Sequence, residues 1–311
     1  MILNTGSRTD TVQYYTEWLL KRFEQGFVYS RNPMFPNKVT KYELDPQTLD
    51  CIIFCSKNYE PILPYIKSIT DKFNTYFHYT ITAYDKDIEP NVPTIDKSIE
   101  TLIKLSNIVG KQRIAWRYDP ILLTKKYSKE LHYKTFDYMA QKLSPHIDRC
   151  IFSFVEMYKK LKTNMPEIIL LTNEDKIEIA KNIGLIAKKY NMIIQTCATE
   201  TNYEDFGILH SGCLTSEILG QANSIKFKSI KHSGNRKNCQ CIESRNIGDY
   251  DTCPNGCKYC YANQNPEIAK INYQKHNPNF DLILGNLQDT DEIQLSNQKS
   301  LIIKCEQQKL F

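Results

Sequence analysis

Short apolar runs rich in β-branched residues alternate with amphipathic stretches over roughly the first 200 residues, and this alternation constrains the fold most strongly. Six strand-then-helix units in series predict parallel strands joined by crossover helices. We therefore expect an α/β fold with a partial TIM-like (β/α)6 barrel. A doubly wound open sheet is the alternative, because periodicity alone does not separate the two.

The predicted strands are short and mostly apolar. They cover Met1–Asn4, Asp50–Cys55, Tyr76–Thr82, Arg113–Tyr118, Cys150–Val155 and Met192–Cys197. The predicted helices carry apolar residues at helical spacing, over Thr9–Gln25, Glu60–Thr70, Lys97–Val109, Lys129–Leu143 and Asp175–Tyr190. A Pro-rich turn between Phe27–Ser30 and Lys38–Leu44 predicts a β-hairpin.

The periodic signal fades after about residue 200. We predict three segments: a partial barrel over residues 1–200, a cysteine-rich segment over 201–285 that packs on it, and an extension over 286–311. The chain shows no apolar run of membrane-spanning length and no signal-peptide pattern at its start. A cytoplasmic location is therefore expected, in which the eleven cysteines are thiols or metal ligands and not disulfides.

Three cysteines form a compact C-x3-C-x2-C pattern at Cys253, Cys257 and Cys260. Three thiolates this close, with Gly256 allowing the chain to curl, can converge on three irons of a [4Fe–4S] cluster. The fourth iron then has no protein ligand from this pattern and can bind a small molecule. Zinc is the alternative, with Cys257 and Cys260 joined by Cys239 and Cys241, but it leaves Cys253 without a role.

Four further cysteines precede or open this block. They can hold a second, fully ligated cluster that serves as an electron relay or a structural staple, and they are Cys197, Cys213, Cys239 and Cys241. The alternative is that some of them are buried thiols. Three others lie in or beside apolar runs and are interpreted as buried thiols: Cys51, Cys150 and Cys305.

Polar or ionisable residues follow every predicted strand. In a β/α barrel the carboxyl ends of the strands meet at one face, where active sites lie. We therefore predict a pocket there, with seven charged residues as its catalytic or binding groups: Arg8, Asp10, Lys57, Arg117, Asp119, Glu156 and Glu200. For each residue, a role as a helix cap, turn residue or ion-pair partner is the alternative.

The C-x3-C-x2-C pattern, with Tyr259 just before its last cysteine, resembles that of radical S-adenosylmethionine enzymes. The resemblance implies that the open iron takes the amino and carboxylate groups of S-adenosylmethionine. An electron from the cluster then cleaves it to methionine and a 5′-deoxyadenosyl radical. It also implies a one-electron donor such as ferredoxin or flavodoxin. Here the pattern follows the sixth unit, whereas in that superfamily it follows the first strand.

The whole chain resembles the DUF1848 family of barrel proteins over roughly residues 1–285. The resemblance rests on Ser7-Arg8-Thr9-Asp10, Arg31-Asn32-Pro33, Lys57-Asn58, Arg117-Tyr118-Asp119-Pro120, Ser153-Phe154-Val155, Cys197-Ala198 and the block from Cys239 to Asn263. It implies that the C-terminal cysteines hold a cluster like that of the radical enzymes.

Three functions are consistent with these features. The first is a radical S-adenosylmethionine-type enzyme acting on a substrate in the barrel mouth. The second is a non-redox [4Fe–4S] enzyme for sulfur transfer or desulfuration. The third is a protein with a zinc ion or structural cluster that binds nucleic acid through Lys226–Lys237, although a solvated loop is the simpler interpretation of that segment, because Phe227 is its only aromatic residue. The net charge of +5 permits an anionic partner without requiring one.

Overall fold

The structure is a computed structural model that describes residues 1–233 and 238–303. Its strands are β1 Ile2–Asn4, β2 Phe27–Arg31, β3 Lys38–Glu43, β4 Cys51–Ser56, β5 Thr75–Thr80, β6 Ile114–Ile121, β7 Arg149–Phe154, β8 Ile193–Thr196, β9 Leu209–His210, β10 Arg245–Asn246 and β11 Glu292–Leu295. Its α-helices are α1 Thr11–Tyr14, α2 Thr16–Gln25, α3 Leu63–Thr70, α4 Ile95–Val109, α5 Lys129–Leu143, α6 Lys159–Asn164, α7 Asn173–Lys189, α8 Ser216–Asn223 and α9 Pro266–Gln274.

Eight strands form one parallel sheet in the order β10-β1-β4-β5-β6-β7-β8-β9. The predicted α/β class with parallel strands is confirmed. The sheet has eight strands and not six, because β9 and β10 come from the segment in which the periodic signal fades. Within the described ranges these two edge strands do not pair with each other, so the sheet is not a closed barrel.

A second sheet has the order β11-β3-β2. Strands β2 and β3 pair antiparallel, with Val28 opposite Tyr42, so the predicted hairpin is confirmed. Strand β11 comes from the predicted C-terminal extension and pairs parallel with β3. It was not predicted, because it lies beyond the periodic part of the chain and its four residues are all exposed.

Two predicted helices differ from the observed ones. The predicted helix Thr9–Gln25 is two helices, α1 and α2, separated at Tyr15, and the Asp10 side chain caps the first by accepting from the Gln13 amide at 3.0 Å. Helix α3 begins at Leu63 and not at Glu60. Proline at position 61 disfavours helical backbone at the residue before it.

The large sheet is covered on both faces, which explains why the sequences of its strands are mostly apolar and do not alternate between apolar and polar residues. One apolar cluster packs the sheet against its helices, and the stacked rings of Trp116 and Phe136, 4.9 Å apart, join β6 to α5 within it. A second cluster lies on the other face. It contains Ile2, Ile53, Tyr76, Ala115 and Ile151 from five strands, with Ile218 and Leu219 from α8.

None of the helices in the described ranges is both long and apolar enough to cross a membrane.

Candidate functional site

A cavity of about 550 Å³ lies at the carboxyl ends of the strands of the large sheet. Its volume is within the range of small-molecule sites. Residues at or just after the carboxyl ends of six strands of the large sheet (β1, β4, β5, β6, β7 and β8) line it, and they include Asn4, Ser56, Thr80, Pro120, Phe154 and Cys197. Residues 253 to 263 form much of the remaining wall.

The structure brings most of the predicted site residues to this cavity. Its lining includes Arg8, Asp10, Lys57, Arg117, Asp119 and Glu156, and the seven cysteines Cys197, Cys213, Cys239, Cys241, Cys253, Cys257 and Cys260. Glu200 lies elsewhere, in the wall of a smaller cavity of about 380 Å³ that also contacts Cys239. The catalytic roles of these residues stay predictions.

Asp10 ties the segment 253–260, which we call the cysteine loop, to the ends of two strands. Its carboxylate accepts from the Ser56 hydroxyl at 2.7 Å, the Lys57 amide at 2.9 Å and the Asn255 side-chain amide at 3.3 Å. Burial raises the pKa of Asp10, and these hydrogen bonds oppose the shift. Asp10 therefore acts first as an anchor that positions the cysteine loop over the strand ends.

Glu89 makes a second anchor for the loop. Its side chain is 2% exposed and forms an ion pair with Lys57 at 2.9 Å. The hydroxyls of Thr82, at 2.7 Å, and Tyr259 donate to the same carboxylate oxygen. Burial acts to lower the pKa of the Lys57 ammonium group. The interaction with Glu89 acts in the opposite direction, and the pKa of Lys57 is raised. The buried pair thereby holds Tyr259 of the cysteine loop.

Main-chain bonds complete the docking of the cysteine loop. The Lys258 amide donates to the Ile88 carbonyl at 3.0 Å, and the Asn91 side chain donates to the Pro254 carbonyl at 2.7 Å. The chain turns at Gly256, whose φ of +69° is in the left-handed region that favours glycine. The segment after β5 therefore supports the loop along its length.

Backbone amides and burial set the surroundings of the sulfurs in the cysteine loop. The Ala262 amide donates to the Cys260 sulfur at 3.3 Å, and the backbone amides of Asn255 and Asp10 act to lower the pKa of Cys253. Such N–H to sulfur bonds tune iron–sulfur clusters. Burial raises the pKa of Cys253 and Cys257, so their thiolates need a bound cation.

Cys253, Cys257 and Cys260 supply three thiol groups from one loop, one fewer than the four ligands of a structural zinc site. Cysteine thiolates are also the ligands that hold iron–sulfur clusters. The sulfur donors of the cysteine loop therefore fit an iron–sulfur cluster, which these three residues would hold.

The other four cysteines, Cys197, Cys213, Cys239 and Cys241, form what we call the four-cysteine group. The ligand atoms of Cys197, Cys213 and Cys241 all lie within 4.8 Å of one another, and those of Cys213 and Cys241 are 3.2 Å apart. Hydrogen bonds from the other three thiols, including the half-buried Cys239, lower the pKa of Cys197. Cys197, Cys213 and Cys241 can therefore hold a metal ion.

A half-buried cation, Arg117, lies beside the four-cysteine group. Arg117 forms an ion pair with Asp119, and the Ser153 hydroxyl donates to the same carboxylate. Burial acts to lower the pKa of Arg117, but Asp119 and the nearby sulfurs of Cys213 and Cys197 outweigh it and raise the pKa. Arg117 is therefore charged and can offset negative charge on a metal–thiolate centre.

Cys55 and His78 form a further pair in the cavity wall. Cys55 Sγ lies 3.7 Å from His78 Nδ1 and donates to Asn4 Oδ1 at 3.8 Å. Burial raises the pKa of Cys55 to about 12, while burial and the charge of Arg117 lower the pKa of His78 to about 3. Both groups are therefore neutral near pH 7, which is unlike the ionised pair of a cysteine nucleophile.

Sequence reasoning did not identify Glu89, His78 or Asn255 as site residues. His78 is inside a strand, where a histidine is more often a core group. Glu89 follows a strand at the carboxyl edge, which is the signal that could have identified it, but it lies nine residues past the end of β5 at Thr80. Asn255 lies within the cysteine pattern, in which only the cysteines were interpreted as site residues.

Other predicted features have no place in the cavity. Cys51 and Cys150 are fully buried in strands β4 and β7. Cys305 lies outside the described residues, and the predicted basic segment 226–237 is described only as far as residue 233.

Comparison with known proteins identifies the family. A search of the curated proteins finds no match. The family model described as Domain of unknown function (DUF1848) matches residues 2–262 and thus most of the chain, including the cysteine loop and every strand of the large sheet. The chain therefore belongs to the DUF1848 family.

Proposed function

We propose that this protein is an iron–sulfur enzyme of the radical S-adenosylmethionine type, with a [4Fe–4S] cluster held by Cys253, Cys257 and Cys260. One observation carries the proposal: the cysteine loop lies over the carboxyl ends of a parallel sheet, and its three sulfurs share one cavity with charged strand-end residues. Three ligands leave one iron open toward that cavity. When bound there, a reduced cluster supplies the electron that cleaves S-adenosylmethionine.

The first task of the chain's own residues is to fix the cysteine loop. Asp10, Glu89 and Lys57 are buried or nearly so, and their bonds to Asn255 and Tyr259 join the loop to the scaffold. Rigid support of this kind keeps the three sulfurs in the positions that a cluster requires. It also makes cluster binding depend on residues that are not ligands.

The second task is to bind a charged substrate or cosubstrate in the cavity. Arg8 lies in the wall, where its guanidinium donates to the Gly248 carbonyl at 3.4 Å and stands 5.6 Å from the centre of the Tyr250 ring. Arg117 and Glu156 lie in the same wall. Cations at this position can hold a carboxylate, and acidic groups can accept an amino group or a substrate hydroxyl.

The test uses the full chain reconstituted with iron and sulfide under anaerobic conditions. We expect about four irons at the cysteine loop, an EPR signal of the reduced protein that changes when S-adenosylmethionine is added, and 5′-deoxyadenosine after reduction with dithionite. Cys257→Ala should abolish all three. Cys51→Ala is the matched control, since it also removes a buried thiol but lies in β4, outside the cavity lining.

Two outcomes would reject the proposal. One is a fully loaded cluster that gives no 5′-deoxyadenosine and no EPR response to S-adenosylmethionine. The other is iron loading that Cys257→Ala leaves unchanged. Activity that persists without S-adenosylmethionine and without a one-electron reductant would instead support the non-redox cluster enzyme.

A further inference from the structure

The two edges of the large sheet are its least connected parts. Strands β9 and β10 have two residues each, and each pairs only with its inner neighbour among the described residues. The four-cysteine group draws its members from the chain beside these edges. Cys197 follows β8, Cys213 follows β9, and Cys239 and Cys241 precede β10.

The main chain brings the two edges together at the four-cysteine group. The Ile242 amide donates to the Leu214 carbonyl at 3.0 Å, which joins the segment before β10 to the segment after β9. The two backbones approach so closely that a Cβ on residue 212 would lie 2.5 Å from the Gln240 carbonyl oxygen. The four-cysteine group therefore lies where the segment after β9 meets the segment before β10, although these two edge strands do not pair with each other in the described ranges.

The distances between these sulfurs distinguish one ion from a cluster. Tetrahedral zinc–thiolate sites have zinc–sulfur bonds of about 2.3 Å, which places neighbouring sulfurs about 3.8 Å apart. The sulfurs of Cys213 and Cys241 are 3.2 Å apart, and those of Cys197, Cys213 and Cys241 all lie within 4.8 Å of one another. These two distances lie on either side of the zinc value. A cubic cluster would separate its ligand sulfurs further, since each bond points outward from a different iron.

The fourth cysteine completes the set. The Cys239 thiol is within hydrogen-bonding reach of Cys197 and Cys241, and it lies at the boundary between the large cavity and the smaller one. Cys197, Cys213 and Cys241 are 3 to 8% exposed. Three buried ligands and one at the rim give a closed four-thiolate site, which is the donor set of many structural zinc sites.

We propose that Cys197, Cys213, Cys239 and Cys241 bind one tetrahedral zinc ion, which staples the β9 edge of the open sheet to the β10 edge. This site is separate in ligands from the cysteine loop, and its role is structural. It replaces the second iron–sulfur cluster that the sequence suggested. The half-buried Arg117 offsets the negative charge of a zinc with four thiolates. The proposal does not depend on S-adenosylmethionine chemistry.

The experiment is metal analysis of the full chain, purified without added iron and then supplied with zinc. We expect about one zinc per chain in the wild type, in Cys51→Ala and in Cys257→Ala, and loss of that zinc in Cys213→Ala and Cys241→Ala. Replacing zinc with cobalt in the wild type should give the absorption of a tetrahedral four-thiolate site. Removing zinc with a chelator should lower the melting temperature.

The chelator measurement keeps the test decisive if Cys213→Ala does not fold, because it uses the wild-type chain. Iron with equimolar sulfide that remains in Cys257→Ala would overturn the proposal in favour of a second cluster. A chain that binds no zinc, or loses it only in Cys257→Ala, would overturn it as well. Failure to form 5′-deoxyadenosine with one zinc still bound would count against the radical function alone.

Discussion

The buried ion pair between Lys57 and Glu89 offers the sharpest test of how the cysteine loop is held. We predict that Glu89→Gln destabilises the protein and lowers the iron content of the reconstituted cluster. Glutamine keeps the shape of the side chain and can still accept from Thr82 and Tyr259. It removes the charge that compensates the Lys57 ammonium, however.

The expected magnitude follows from burial. The side chains of Lys57 and Glu89 are 13% and 2% exposed, so water screens the pair little. Removing one partner of a buried pair costs about 3–5 kcal/mol, because the other charge is left uncompensated. The exposed pair of Lys97 and Glu60 has the same chemistry at 2.8 Å, with side chains 41% and 49% exposed. Glu60→Gln should therefore destabilise the protein far less than Glu89→Gln, because water screens the exposed pair.

The assay is urea unfolding followed by circular dichroism, with iron content measured in parallel. Lys57→Met in the Glu89→Gln background should recover much of the loss, since it removes the unpaired charge. The double-mutant cycle should then give a coupling energy of about 2 kcal/mol. A Glu89→Gln protein as stable as Glu60→Gln, or a coupling energy near zero, would refute the view that this pair anchors the cysteine loop.

Two further predictions concern residues away from the metal ligands. Burial lowers the pKa of His132 to about 4, and its ring contacts the Tyr118 hydroxyl at 2.6 Å. The pKa of a histidine in the unfolded chain is about 6.5, so the neutral, buried ring contributes fully to the free energy of unfolding above that pH. About 3 kcal/mol of that free energy is lost as the pH falls toward 4. Urea unfolding across this range should show a steeper loss in the wild type than in His132→Asn, and parallel curves would contradict the reasoning. Gly6→Ala should cost more than about 2 kcal/mol, because the new Cβ would overlap the Cys55 carbonyl oxygen and lie 2.9 Å from the carbonyl carbon, so that the backbone must shift. Gly26→Ala, where φ is +78° and no atom lies within 4 Å, should cost only about 1 kcal/mol, and equal melting temperatures for the two variants would count against the close contact at Gly6.

Local patterns in the sequence were sufficient for the scaffold. The buried strands β4 and β7 are short and mostly apolar, and the helices α4, α5 and α7 carry helical periodicity, so each element is specified by its own residues. Parallel strands place their carboxyl ends at one edge by topology alone. That rule is why six of the seven charged residues predicted at strand ends line a single cavity.

Short or non-local features were beyond sequence reasoning. Strands β9 and β10 have two residues each and carry no periodicity, so only their neighbours in the sheet define them. Glu89 becomes a site residue through contacts with Lys57, 32 residues away, and with Tyr259, 170 residues away. Glu200 follows a predicted strand, as the other six candidates do, but the chain after β8 places it in the wall of a different cavity.

The cysteines show most clearly which features the sequence predicts and which only the tertiary structure decides. Spacing alone predicted that Cys253, Cys257 and Cys260 lie together, because they fall within eight residues of chain, and all three line one cavity. The grouping of Cys197 with Cys213 and Cys241 spans up to 44 positions in the chain, and no spacing rule measures distances across folded segments. Only the tertiary structure, by bringing the two edges of the sheet together, decided that these sulfurs lie close enough for one ion.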